Sequence, residues 1–215
     1  MSSLMDTIVT WAARAAAGVF LLLAALLGIS AWATWPYSRD IGWSVTTFGH
    51  LLNAPFADRV VIGDSRVEWA MPTEGSRFMG YGGATTRDLA RLANVACSFG
   101  SAPVTIALGV NDTKPEEQDA EATQAAMNAI LQDCAHRDLS VSAIWPVEPD
   151  RFPEGDFYDS ALIARYNAEL RGLSERYGAR FIDVPVLPDP LTWDGVHFEE
   201  KAMRLYAATL APPGG

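Results

Sequence analysis

Positive charge is scarce in this chain. Its 215 residues carry 16 Lys and Arg against 26 Asp and Glu, a net charge of −10 with a pI of about 4.7. No lysine- or arginine-rich run interrupts that balance, which argues against a nucleic-acid partner. An anionic substrate would need positive groups placed locally. Cysteine is limited to two residues and histidine to three. No cluster has metal-ligand spacing, so neither a metal nor a cofactor is expected. Internal repeats and low-complexity tracts are lacking too, which excludes a repeat array or a disordered tether as the main body of the chain.

Charge of either sign is missing from residues 15–35. Those 21 residues, rich in Leu and Ala, suffice for a helix across a hydrocarbon core of about 30 Å. Trp11, Trp32 and Trp35 bracket the run as interfacial aromatics would. A core helix is the plain alternative, and a cleaved signal peptide the sharper one, because Ala31-Trp32-Ala33 fits an A-x-A cleavage pattern. An uncleaved anchor is the expectation, since the apolar character extends back through Ile8 and Val9 to Trp11. Either way the remaining chain is exported. Arg14 and Arg39 flank the run, so the charge bias on orientation is small. The chain divides into an anchor or signal sequence (1–35), a connector (36–58) and the main domain (59–215). In the connector, Trp43, Val45, Phe48, Leu51 and Leu52 allow a short amphipathic helix on the bilayer or against the domain, or a packed linker.

The rest alternates strand and helix patterns. Val60-Val61-Ile62 is a β-branched apolar run that ends in Gly63-Asp64-Ser65, which suits a strand followed by a tight turn that presents a serine. The short piece 66–71 leaves room only for a brief helix before Pro72. A short strand is expected at 77–79. Thr85, with Asp88 three places on, can cap a helix whose stripe is Leu89, Leu92, Ala93, Ala96 and Cys97. Residues 104–108 form a strand, and Pro115 is expected to begin a helix bearing Met127, Ile130, Leu131 and Cys134. A fourth strand is expected at 141–145. A helix carrying Leu162, Tyr166, Leu170, Leu173 and Tyr177 should end at Gly178. A fifth strand follows at 181–184. The last helix is stopped by Pro212 and Pro213. Such alternation implies a parallel sheet covered on both faces, a three-layer α/β/α sandwich.

Ser65, the glycine-rich turn 80–86 with Gly83, Asn111 after the 104–108 strand, and Asp194 with His197 before the last helix occur in that order. A serine, a glycine, an asparagine and a histidine so placed resemble the four blocks of the SGNH (GDSL-type) hydrolase family, over about residues 59–210. The resemblance implies a five-stranded, flavodoxin-like parallel sheet in the order 2-1-3-4-5. It also implies an oxyanion hole made by the backbone N–H groups of Ser65 and Gly83 and the side-chain amide of Asn111. The residue types fit that chemistry. Ser65 needs a base, and His197 can serve because imidazole titrates near neutral pH. Asp194 lies three residues earlier and can fix the ring tautomer. Plainer readings remain for each: Gly83 as a turn residue, Asn111 as a helix cap, His197 as a loop histidine. His50 and His136 lie away from any strand's carboxyl end, which leaves His197 as the natural base.

Arg66 stands where the family usually has leucine. It is either a solvated arginine or a substrate-binding guanidinium for a carboxylate or sugar hydroxyl. Phe198 stands where the family often has proline. The short gap from Ser65 to Gly83 suggests an open site. With a 2-1-3-4-5 sheet, the helices bearing Cys97 and Cys134 lie side by side on one face, so these residues either pair as a disulfide or remain two buried thiols. Three functions follow. The first is hydrolysis of an ester on a small molecule, lipid or carbohydrate. The second is acyl transfer on an envelope polysaccharide. The third is a non-catalytic glycan-binding or scaffold role.

Overall fold

The computed structural model describes residues 2–34, 41–154 and 157–212. Trp35, the first residues of the connector with Arg39, and Pro213, which figure in the sequence reading, lie outside them. The order is α1 (Ser2–Thr34), α2 (Ile41–Asn53), β1 (Arg59–Gly63), α3 (Ser65–Trp69), β2 (Ser76–Gly80), α4 (Thr86–Ser98), β3 (Val104–Ala107), α5 (Ala120–Cys134), β4 (Leu139–Ser142), α6 (Ser160–Tyr177), β5 (Arg180–Ile182) and α7 (Glu200–Leu210). The five strands are parallel and ordered β2-β1-β3-β4-β5.

Alternation along the strands builds two cores. Val60 and Ile62 of β1 and Val104 and Ile106 of β3 face one layer, with Leu89 and Leu92 of α4, Ile130 and Leu131 of α5, and Tyr166 and Leu170 of α6. Val61, Ala107 and Phe78 face the other, with Val67 of α3 and Ala202, Tyr206 and Leu210 of α7. A side chain fully withdrawn from water contributes about 1.5–3 kcal/mol, so β1, buried at every position, is the axis of the domain. Thr105 points the wrong way for a polar residue and is satisfied by donating to the Leu210 carbonyl at 3.1 Å.

Local signals explain most boundaries. Thr85 and Asp88 form a complete capping box at the start of α4. Gly178 closes α6 in the left-handed region at φ 64°. Two expectations are corrected. Pro115 starts only a 3-10 turn (Pro115–Glu117), and α5 begins at Ala120. The Asp119 carboxylate accepts from the Ala122 N–H at 3.0 Å, so the aspartate caps a new helix instead of continuing an old one. The fourth strand ends at Ser142. The apolar run continues through Ala143, Ile144 and Trp145 because these residues are buried, but the Asn167 side chain takes the Ile144 N–H at 2.7 Å and donates to its carbonyl at 2.9 Å. A side-chain amide there replaces the next strand.

Helix α2 packs on the domain and on α1. Tyr81, just past β2, joins it: its hydroxyl lies 2.8 Å from Thr47 Oγ1 and 3.1 Å from His50 Nδ1, and its ring meets Trp43 edge-on. Burial and the charge of Arg77 lower the His50 pKa to about 4, so this histidine is neutral at neutral pH. Helix α1 is long and apolar enough over Thr7–Thr34 to cross a membrane. Only 6% of its most apolar window is buried, which rules out the core-helix alternative. Cys97 and Cys134 form a disulfide with Cα atoms 5.3 Å apart, joining the ends of α4 and α5.

Candidate active site

Three loops leave neighbouring strands at one level. Gly63 pairs in register with Gly80 on one side and Ala107 on the other, so the turns that follow β1, β2 and β3 share the carboxyl edge, where open α/β sheets bind ligands. Asp64 caps α3 by accepting from the Arg66 N–H at 2.9 Å, which sets Ser65 as the first helical residue. Its N–H is one of those that a helix start leaves without a partner inside the helix. Helix α3 lies so close to β2 that a Cβ on Gly80 would sit 2.0 Å from the Glu68 nitrogen. Only glycine permits that approach.

His197 reaches this edge from the loop before α7. Its Nε2 lies 3.0 Å from Ser65 Oγ, and its Nδ1 lies 2.6 Å from Asp194 Oδ2. An ionised carboxylate can only accept, so Nδ1 carries the proton and Nε2 accepts from the serine hydroxyl. Asp194 Oδ1 accepts from the N–H groups of Val196 at 3.0 Å and His197 at 2.7 Å. Burial would raise the Asp194 pKa, but these hydrogen bonds outweigh it and hold the carboxyl below its ordinary value.

The other two loops are tied together. Asn111, buried, donates from Nδ2 to the Ala84 carbonyl at 2.9 Å. Asp112 accepts from the N–H of Thr86 at 2.9 Å and from its hydroxyl at 3.0 Å, and from the Thr123 hydroxyl at 2.9 Å. These bonds fix Gly83 relative to Asn111. Gly83 is exposed, has φ 72°, and a Cβ there would meet nothing within 4 Å. The conformation requires glycine, and the space above it is open.

Arg66 corrects both sequence readings. It is neither solvated nor offered to a substrate, being 3% exposed. Its guanidinium donates to the carbonyls of Trp145 at 2.7 Å, Pro146 at 3.0 Å and Val196 at 3.0 Å. It also lies 4.6 Å over the Phe198 ring. One buried fork thus links the serine helix to the loop after β4 and to the histidine loop, and Phe198 supplies its apolar floor.

Other residues carried no sequence signal or an unread one. Glu148 accepts from the Thr192 N–H at 2.6 Å and from its hydroxyl, bracing the strand-like stretch that leads to Asp194. Its position in a Pro-rich loop foretold nothing. Glu68 and Trp69 on α3, and Trp193 beside Asp194, border the site. Trp69 follows Ser65 by four positions, and that spacing alone places both on one helix face.

The GDSL-like lipase/acylhydrolase family model matches residues 41–205. A search among curated proteins finds no match. Among solved structures, one from Streptococcus pneumonia, provisionally named for platelet activating factor, is 18% identical with a TM-score of 0.64, covering 91% of this chain and 97% of its own. One from Agrobacterium tumefaciens, provisionally named an arylesterase, is 26% identical with a TM-score of 0.54 and covers 70% and 96%. The carbohydrate acetylesterase Est24 from Sinorhizobium meliloti is 18% identical with a TM-score of 0.57 and covers 70% and 95%.

Proposed function

The chain belongs to the GDSL-like lipase/acylhydrolase family, and on that premise we propose that it is an exported, membrane-anchored esterase that hydrolyses O-acyl groups through an acyl-serine intermediate. The observation that carries this reading is the unbroken line Asp194–His197–Ser65, with gaps of 2.6 and 3.0 Å. Ser65 Oγ attacks the ester carbonyl carbon while His197 Nε2 takes its proton. The carbonyl π pair moves onto oxygen. That oxyanion is received by the N–H groups of Ser65 and Gly83 and by the second amide hydrogen of Asn111, the first being held by Ala84. Collapse restores the carbonyl and expels the alkoxide, which takes the proton from Nε2. Water then repeats the sequence: it gives a proton to Nε2, attacks the acyl carbon, and releases the acid and Ser65. Asp194 keeps its charge throughout and steadies the imidazolium.

Export is supported by the apolar helix α1 and by the Cys97–Cys134 disulfide, since disulfides persist in oxidising compartments. The ester is carried by a carbohydrate or a lipid. The test of the chemistry is labelling of the full-length protein with a fluorophosphonate and mapping of the adduct. The adduct is expected on Ser65 and is absent from Ser65→Ala. Labelling that persists in that variant overturns the assignment.

A further inference from the structure

Two indoles flank the base of this site without serving the fold. Trp69 and Trp193 are 44% and 52% exposed, and neither belongs to either core. Their rings are parallel within 2°, with centroids 5.8 Å apart. Trp69 stacks on the His197 imidazole at 4.3 Å, and Trp193 stands 5.8 Å from the same ring. About half of each large aromatic side chain is thus left to solvent, where its burial adds little to the fold.

The chemistry decides which part of a substrate they meet. His197 Nε2 delivers its proton to the alkoxy oxygen, so the alcohol half of the ester lies against the imidazole and the acyl half lies away from it. Rings that adjoin His197 therefore line the alcohol subsite. Charge narrows the choice. Glu68, between Ser65 and Trp69 on α3, is exposed, and its carboxylate accepts from the Gly82 N–H. Arg66, the cation nearest in sequence, is turned inward and occupied by three carbonyls. The subsite thus offers flat π faces and a carboxylate acceptor.

We propose that Trp69 and Trp193 form a stacking platform for the alcohol moiety, and that this moiety is an uncharged sugar ring, so that the substrate is an O-acylated carbohydrate. One face of a pyranose presents C–H groups whose partial positive charge suits the negative face of an indole. Its rim presents hydroxyl donors, and a carboxylate can only accept. A lipid alcohol would use an enclosed apolar groove, whereas these rings are open to water. An aryl alcohol would stack equally well but would bring no hydroxyl to the lone pairs of Glu68 that the Gly82 N–H leaves open. The proposal rests on the reading of Ser65 and His197 as nucleophile and base.

Two measurements test it on the full-length protein in detergent. In the first, an O-acetylated xylo-oligosaccharide is titrated calorimetrically into the Ser65→Ala variant, which needs no turnover. Adding Trp193→Ala is expected to weaken binding about tenfold, with Trp193→Phe restoring part of it. Equal affinity for all three overturns the platform whatever the fate of the catalytic reading. In the second, kcat/KM is compared for the oligosaccharide, ethyl acetate and phenyl acetate. With Trp193→Ala the ratio of oligosaccharide to ethyl acetate should fall about tenfold. A fall confined to phenyl acetate would make the subsite one for aryl alcohols and overturn the carbohydrate assignment. Loss of fluorophosphonate labelling at Ser65 alongside intact oligosaccharide binding would refute the catalytic reading alone.

Discussion

In the mechanism we propose, Asn111 does two tasks with one amide. One hydrogen holds Ala84, and so the Gly83 turn, while the other is free to meet an oxyanion. Asn111→Ala should therefore keep the fold and lower kcat by about 100- to 1000-fold, with little change in KM. Steady-state kinetics on a nitrophenyl ester would check this, and an unchanged kcat would remove Asn111 from the oxyanion hole. Asp64 carries a different burden. Burial, opposed by the charge and amide of Arg66, pushes its pKa up from 3.8 to about 6. Between those values the folded state keeps a proton that the unfolded chain has released. Stability attributable to Asp64 therefore falls as pH rises through that window and stays lower above it. Asp64→Asn removes the titration and keeps an oxygen for the Arg66 N–H. Its melting temperature relative to the parent should rise between pH 4 and pH 7, and a difference independent of pH would contradict the assignment.

Elements are joined at this site by side chains as much as by the sheet. Arg66 binds α3 to two loops through three buried carbonyls. Lysine has the charge but not the planar fork. Arg66→Lys should cost about 2–3 kcal/mol in urea unfolding, and it should lower activity by loosening the 194–197 loop. A variant as stable as the parent would show the fork to be dispensable. The α4–α5 pair is clamped at its far end by Cys97–Cys134, across a separation of 37 residues. Replacing both by serine should lower stability by about 3–4 kcal/mol. Alkylation of the unreduced protein should detect no free thiol, and two alkylatable thiols would mean that the bridge does not form.

The molecule as a whole is an acidic α/β/α domain attached to a long apolar helix. Residues Ser30, Ala33 and Thr34 of α1 are buried, so its last turns belong to the packed domain and cleavage after Ala33 would take away part of the fold. Trp32 also lies 5.4 Å under the guanidinium of Arg91 on α4. This favours retention of the helix. The protein should stay in the pellet after alkaline carbonate extraction, and N-terminal sequencing should find the uncleaved start. A mature chain beginning at Thr34 would show a cleaved signal instead.

Much of this was legible without coordinates because the governing forces are local or periodic. Alternation of β-branched runs with apolar stripes dictated the layers, Thr85 and Gly178 marked helix ends, and the spacing from Asp194 to His197 put both on one short loop. Strand order and the grouping of Ser65, Gly83, Asn111 and His197 came from likeness to a family. Tertiary structure decided the rest. Arg66 could be read as solvated or as substrate-binding because its guanidinium finds its carbonyls far along the chain, 79 to 130 residues away. The strand at Leu139–Ser142 stopped early because Asn167, on a later helix, took over the hydrogen bonds of Ile144. Trp69 and Trp193 are 124 positions apart, so their parallel faces beside His197 exist only once the chain is closed. A sequence determines which groups are available and how each segment prefers to fold; which distant group desolvates, pairs with or stacks on another depends on the packing that brings them into contact.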